Sequence, residues 1–185
     1  YAQQRERKEF EKSVSSLDDF LKQLDIKIKI KKSNEFLIPR ISQLTLKTNQ
    51  FNLTTRRYQE EEIRNLSNNT KFIVGCAQVI DKFGDNGITG VYIINKNEKS
   101  WLIDTFLLSC RIMGRGVENA ILSQILIDAK TNGIEEIHAE FIQTQKNQPS
   151  ENFLSDFGFK KRDNLWIYKL NNEIKLPNHL KVEIE

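Results

Sequence analysis

The chain is poor in metal-binding and redox residues. It has two cysteines, Cys76 and Cys110, and two histidines, His138 and His179, in 185 residues. Neither pair has the spacing of a metal site, so no metal is expected, and a cytoplasmic setting with free thiols is. No apolar run is long enough to cross a bilayer and no signal peptide is visible, so no membrane partner is expected. Charge of one sign is also missing: 28 basic against 25 acidic residues leave +3. That surplus is too small to demand nucleic acid. The basic run Ile26-Lys-Ile-Lys-Ile-Lys31 has no interleaved aromatics and reads as solvated lysines. What remains, 38% hydrophobic and 29% charged residues, fits one globular domain with a real core. The first residue is Tyr1 rather than Met, as in a fragment of something longer.

Glycine is sparse too, and two of the eight glycines stand two apart at Gly114 and Gly116. Before them, Trp101–Leu108 reads as a buried strand containing Asp104 and Thr105. After them, Val117, Ile121, Leu122, Ile125, Leu126 and Ala129 form a helical stripe. A strand, a glycine turn and a helix together make an anion seat. The glycines let a ligand approach the backbone, and the free N–H groups of the first helical turn face it. Arg111 and Arg115 add positive charge. The backbone N–H groups of Met113, Gly114, Arg115, Gly116 and Val117 are the candidate phosphate ligands. A plain tight turn is the alternative. No Lys-Ser/Thr follows the glycines, so this is no P-loop, and the spacing is not that of a dinucleotide site.

The other elements follow from periodicity. Arg5–Leu24 reads as a helix, with a possible second start near Ser15, Ser16 and Asp18-Asp19. Ile26–Lys31 alternates as a half-buried strand at a sheet edge. Helices are expected over Phe36–Leu46, with Pro39 in its first turn, and over Gln59–Leu66. Lys71–Ile80 and Ile88–Asn95 are strands around a turn with Gly84 and Asn86-Gly87. Gly133 caps the long helix. Ile137–Ile142 is a strand, Asn147–Phe157 a helix broken at Gly158, and Leu165–Leu170 a last strand. The tail with Pro177 reads as irregular.

Lys47–Tyr58 is dense in amides and hydroxyls around Phe51 and Leu53. Asn49, Gln50, Asn52, Thr54 and Arg56 can contact a hydroxylated substrate; equally, the amides can satisfy the loop's own backbone. Asp104, an acid in a buried strand, needs a partner. It is a candidate general base or substrate-orienting group, or an ion-pair partner of Arg56 or Arg57. Cys76 and His138 read as structural.

The sequence Arg111-x-x-Gly114-x-Gly116 after a strand resembles the acyl-CoA pyrophosphate loop of the GNAT acyltransferases. The order β-α-α-β-β-β-α-β-α-β is also that of the GNAT fold. The fold class expected is therefore α/β (α+β), a mixed central sheet flanked by helices. Residues 1–24 are expected to be a helical linker from an upstream domain, 25–172 the GNAT-like domain and 173–185 an irregular tail.

A closer resemblance lies in Lys47–Tyr58, Asp81-x-Phe-Gly-Asp-Asn-Gly87, Ile103–Arg111 with Gly114-Arg-Gly116, and Thr144-x-Lys-Asn147. These resemble the C-terminal half of FkbH-like proteins, which join a HAD-type phosphatase domain to a GNAT-like one. The resemblance covers Tyr1 to about Leu170. It implies transfer of a glyceryl unit from a phosphorylated glycerate donor to an acyl carrier protein, as in methoxymalonyl and polyketide-type biosynthesis. It implies CoA or the phosphopantetheine arm of the carrier as cofactor, with Ser109 and Asn147 among the binding residues. Cys110 becomes a candidate acyl-holding nucleophile, with the helix N-terminus and Arg111 favouring its thiolate. No Asp-x-Asp of a HAD half is present, so that domain is expected in the same or a partner chain. One departure stands out. GNAT acetyltransferases often carry a tyrosine acid four residues before the glycine of the Gly-Phe pair, and here that place is Leu154. Thioester exchange tolerates its loss better than amine acetylation does, because thiols leave readily. The remaining alternatives are an acetyl-CoA-dependent N-acetyltransferase and a non-catalytic docking domain.

Overall fold

The structure, a computed structural model, describes residues 1–14, 16–171 and 173–185. In chain order the helices are α1 (Ala2–Ser13), α2 (Leu17–Gln23), α3 (Ile38–Lys47), α4 (Glu60–Asn68), α5 (Val117–Thr131) and α6 (Phe153–Phe157). The strands are β1 (Ile26–Lys32), β2 (Phe51–Asn52), β3 (Phe72–Asp81), β4 (Gly84–Lys96), β5 (Ser100–Leu108), β6 (Glu136–Ala139), β7 (Lys160–Arg162), β8 (Leu165–Lys169) and β9 (Leu180–Ile184). They form one sheet in the order β7-β8-β6-β5-β4-β3-β1-β9, with β2 on β5. β5 and β6 run parallel, as do β1 and β9; the other pairs are antiparallel. One face of the sheet carries the larger core, with α5 and side chains from α2 and α6. The other carries Ile38, Ile41 and Leu44 of α3 and Ile63 of α4. Among the described residues no helix is long and apolar enough to cross a membrane.

Local chemistry explains most boundaries. Pro39 sits in the first turn of α3, where its missing N–H costs nothing. Gln59 and Glu62 exchange side chain-to-backbone hydrogen bonds around the start of α4. Gly133 and Gly158 adopt positive φ just past α5 and α6.

Several expectations are corrected. The first helix is two: Ser16 accepts a hydrogen bond from the Asp19 N–H at 3.1 Å and starts α2 afresh. The lysine strand β1 is not an edge, because β9 pairs beside it. The tail is therefore not irregular throughout: Leu180–Ile184 adds a parallel strand, and Lys27, Lys29 and Lys31 meet Glu183 and Glu185 across it. Residues 1–13 pack against the rest of the fold. Arg7 is 2% exposed, and Phe10 packs on Phe20 and Phe83. The β3–β4 turn is tighter than expected, at Lys82-Phe83, and Asn86-Gly87 lie inside β4, facing register shifts in β3. β6 ends at Ala139, and Asn147–Phe157 is a single 3-10 turn followed by α6.

Candidate functional site

β5 delivers the chain to the loop. The Ser109 N–H donates to Thr89 O at 2.7 Å, which spends its backbone donor on the fold. Cys110–Ile112 form a 3-10 turn, and Gly114 and Gly116 both take φ +77°. This left-handed geometry is open to glycine at little cost. A Cβ at Gly114 would meet no atom within 4 Å. The backbone there is bare, directly before a 15-residue helix. A Cβ at Gly116 would lie 3.1 Å from the His179 ring, whose Nε2 is 2.6 Å from Arg115 O. The tail thus covers the second glycine and leaves the first open.

The arginines divide. Arg111 is exposed, with Nη2 3.4 Å from Asn86 O. Arg115, expected to face the anion, instead turns inward, with Nη1 3.6 Å from Asp81 Oδ2. Burial, then Arg7, presses against its charge. Val117 is fully buried and offers only its N–H; Met113 packs against the core. Glu118 occupies the first turn of α5. Burial pushes its carboxyl up, partly offset by its own N–H and His179. An incoming phosphate therefore shares the helix start with this carboxyl.

Cys110 is exposed in the turn, whereas Cys76 is buried in β3 with its thiol pushed up to about 11 by burial. Cys76 is core, as expected. Asp104 lies four strand residues before Leu108, a rise of about 13 Å. Among the described residues no hydrogen bond joins Asp104 to Cys110.

Asp104 anchors a different cluster. It falls at a register shift between β4 and β5, where Ile93 faces Thr105 and Ile94 faces Ile103. Its carboxylate accepts from Tyr58 Oη at 2.6 Å, Thr105 Oγ1 at 2.9 Å and Arg56 Nη1 at 3.4 Å. Arg56 also donates to Asp104 O at 2.9 Å and to Glu140 Oε2 at 3.2 Å. Burial, then the Asp104 bond, holds the Tyr58 hydroxyl well above its ordinary range. Of the two partners offered for Asp104, the structure selects Arg56. Arg57 instead ties its loop to Thr45 O and Thr48 O. Tyr58 and Glu140 were not singled out from sequence. Tyr58 stood inside the amide-rich stretch, two residues from Arg56, which was its signal.

The other expected substrate residues are spent on the chain itself. Asn52 is fully buried, donates to Thr48 O and accepts from the Thr55 N–H. Thr54 donates to Asp104 O, and Asn49 accepts from Arg57. Gln50 is exposed. Asn147, expected at a cofactor, is also fully buried. It donates to Asn52 O at 3.0 Å and Ile142 O at 2.9 Å and accepts from the Thr144 N–H at 2.8 Å. Its amide has no free edge for a ligand.

These bonds fill a gap. β5 and β6 pair only over Ser100–Ile103 and Glu136–Ala139. Beyond that, Phe51 and Asn52 pair with Leu108 and Leu107. The Leu53 N–H donates to Phe106 O, and the Ile142 N–H to Leu53 O. The chain itself closes the split between the two parallel strands.

Comparison with solved structures identifies the architecture. An acetyltransferase of the GNAT family from Staphylococcus aureus superposes with a TM-score of 0.58 at 13% identity, over 78% of this chain and 99% of that one. The ribosomal-protein-S18-alanine N-acetyltransferase of Escherichia coli gives 0.59 at 9%, over 79% and 96%. N-acetylglutamate synthase from Neisseria gonorrhoeae, complexed with coenzyme A and N-acetyl-glutamate, gives 0.57 at 13%, over 78% and 35%. This is the GNAT fold. Identities this low show the fold alone. No family model matches the sequence, and no curated protein does. The FkbH-like resemblance therefore rests on its motifs. In this chain Leu154 is 2% exposed, so the place expected for a tyrosine acid holds a core side chain. Among the described residues no three of His, Cys, Asp and Glu come together as a metal site.

Proposed function

We propose that this chain is an acyltransferase domain that seats a phosphopantetheine arm, of CoA or of an acyl carrier protein, on the 113–117 loop. It aids transfer of a small hydroxyacyl group to a carrier thiol. The observation that carries the reading is Gly114: a bare, left-handed backbone just ahead of α5, inside a GNAT fold. The N–H groups of Met113 to Val117 hold the phosphate, and Arg111 adds an exposed positive charge. The arm, when bound, supplies a thioester. Cys110 offers an exposed thiol beside that seat. As the thiolate, its proton given to solvent, it attacks the thioester carbonyl, takes the acyl group as a new thioester and releases the arm as a thiol. A carrier thiol then takes the acyl group from Cys110 by the same exchange. Phe51–Leu53 fill the split between β5 and β6, so an arm from the loop passes over this segment. The acyl group, the carrier protein and a HAD-type phosphatase domain in the same or a partner chain are supported by the FkbH-like motifs. Acetyl-CoA-dependent N-acetylation is the second reading, favoured by the acetyltransferase neighbours and weighed against by Leu154.

Intact-protein mass spectrometry separates these readings. Wild type and Cys110→Ala are mixed with glyceryl-loaded carrier protein, and separately with acetyl-CoA. The expected result is an acyl adduct on wild type from the carrier and none on Cys110→Ala. Without an adduct from either donor, covalent transfer is lost and a docking role takes its place.

The seat has its own test. Gly114→Asp adds a negative charge where no neighbour interferes, and aspartate tolerates positive φ better than most residues. CoA affinity by calorimetry should fall at least about tenfold, or ~1.4 kcal/mol, with the circular dichroism unchanged. Unchanged affinity in the folded variant removes the phosphate seat.

A further inference from the structure

Beside the Arg56–Glu140 pair lies a cleft of about 530 Å³. It is framed by the residues after β6, the start of α6 and the β7–β8 hairpin. That volume lies within the roughly 300–1,000 Å³ of small-molecule sites. Its wall includes Trp166, the carboxylates of Glu140 and Glu151, the amides of Asn152 and Asn164, and the ammonium of Lys161. None of these polar groups belongs to the loop around Gly114.

The chemistry of this wall is specific. Glu151, Asn152, Lys161 and Asn164 have no side-chain hydrogen bond or ion pair with the described residues, so their donors and acceptors are available. Glu140 gives Oε2 to Arg56 and keeps its other oxygen. Glu140 is already paired with Arg56, which Asp104 shares, so the free charges of the lining are Glu151 and Lys161, one of each sign. An anionic ligand meets Glu151, and a cationic one meets Lys161. A neutral ligand rich in hydroxyls can pair with carboxylates, amides and ammonium at once, because each hydroxyl both donates and accepts. Trp166 adds an apolar surface for the C–H face of such a molecule.

We propose that this cleft binds a neutral polyhydroxylated small molecule of the sugar class, with Trp166 as its apolar platform and Glu151, Asn152, Lys161 and Asn164 as its hydrogen-bonding rim. The inference goes beyond the acyltransfer reading and does not need it, since binding is read with no arm present.

The chain has two tryptophans, and Trp101 is only 5% exposed, so it serves as an internal control. The whole protein is titrated with methyl α-glucoside and with N-acetylglucosamine, followed by the two indole N–H signals in nitrogen-15 NMR spectra. Glucose 6-phosphate and glucosamine are the charged controls. The Trp166 signal should move and saturate with at least one neutral probe while Trp101 stays still. Each charged probe should bind at least fivefold more weakly than that neutral one. Asn152→Ala and Lys161→Ala, both at exposed positions, should each weaken binding at least fivefold with the rest of the spectrum intact. Failure of both neutral probes to give a saturable shift overturns the proposal. So does a charged probe that binds as tightly, or variants that bind like wild type.

Discussion

Asp81→Ala is expected to lower folding stability by about 3–5 kcal/mol, the usual cost of breaking a buried ion pair from one side. Arg7 Nη2 donates to Asp81 Oδ1 at 2.9 Å, and Nε lies 2.7 Å from Oδ2, close but not aligned as a hydrogen bond. The two side chains are 2% and 1% exposed. Arg115 Nη1 approaches the same carboxylate, so one acid answers two guanidinium groups. Removing it leaves both buried charges without that partner. Because Arg7 sits in α1, the loss also leaves the first helix held to the β3–β4 turn mainly by Phe10 against Phe83 and Lys82. Arg7→Met should cost less, because it removes a charge rather than stranding one, and Arg115 then has Asp81 to itself. Urea unfolding followed by circular dichroism gives the comparison. A loss below about 1 kcal/mol for Asp81→Ala would mean that the guanidinium groups reach water, and that α1 is not held by this pair.

The centre of the fold was readable because its signals are local. The apolar run of β5, the two glycines and the helical stripe of α5 lie within one stretch of chain, and each element follows from spacing alone. β9 shows the limit. Leu180, Val182 and Ile184 alternate with Lys181 and Glu183 as a strand should, but the segment follows Pro177 at the chain end. Only its pairing with β1, some 150 residues away, and the meeting of Lys29 with Glu185 reveal it. Arg115 failed for a related reason. Its position beside the glycines pointed to an anion, while Asp81, which turns it inward, is distant in sequence. The amide-rich stretch was ambiguous because its partners are backbone carbonyls, which every residue type carries. Nothing in Asn52 or Asn147 announces that one accepts from the other across 95 residues.

That pairing makes Asn147→Ala the decisive variant for the stretch 47–58. The wild-type amide satisfies Asn52 O, Ile142 O and the Thr144 N–H inside the protein. Ser150 Oγ also reaches Asn52 O, at 3.5 Å, so that carbonyl keeps one weak partner. The Ile142 carbonyl and the Thr144 N–H are only part-buried, so each loses the net value of one hydrogen bond, about 0.5–1.5 kcal/mol. A total loss of about 1–3 kcal/mol is expected. The damage should be local to the filled split: faster amide exchange at Leu53 and Ile142, whose N–H groups bond into this segment, before exchange in β3 and β4. CoA affinity measured well below the melting temperature should stay within about twofold, because the 113–117 loop does not touch this amide. The opposite pattern, full stability with CoA affinity lost, would return Asn147 to the ligand. It would also mean that the segment 51–53 leaves the split when the arm enters, since only then could the amide turn outward. The two measurements therefore decide whether this fold keeps its parallel-strand gap closed or opens it when CoA is added.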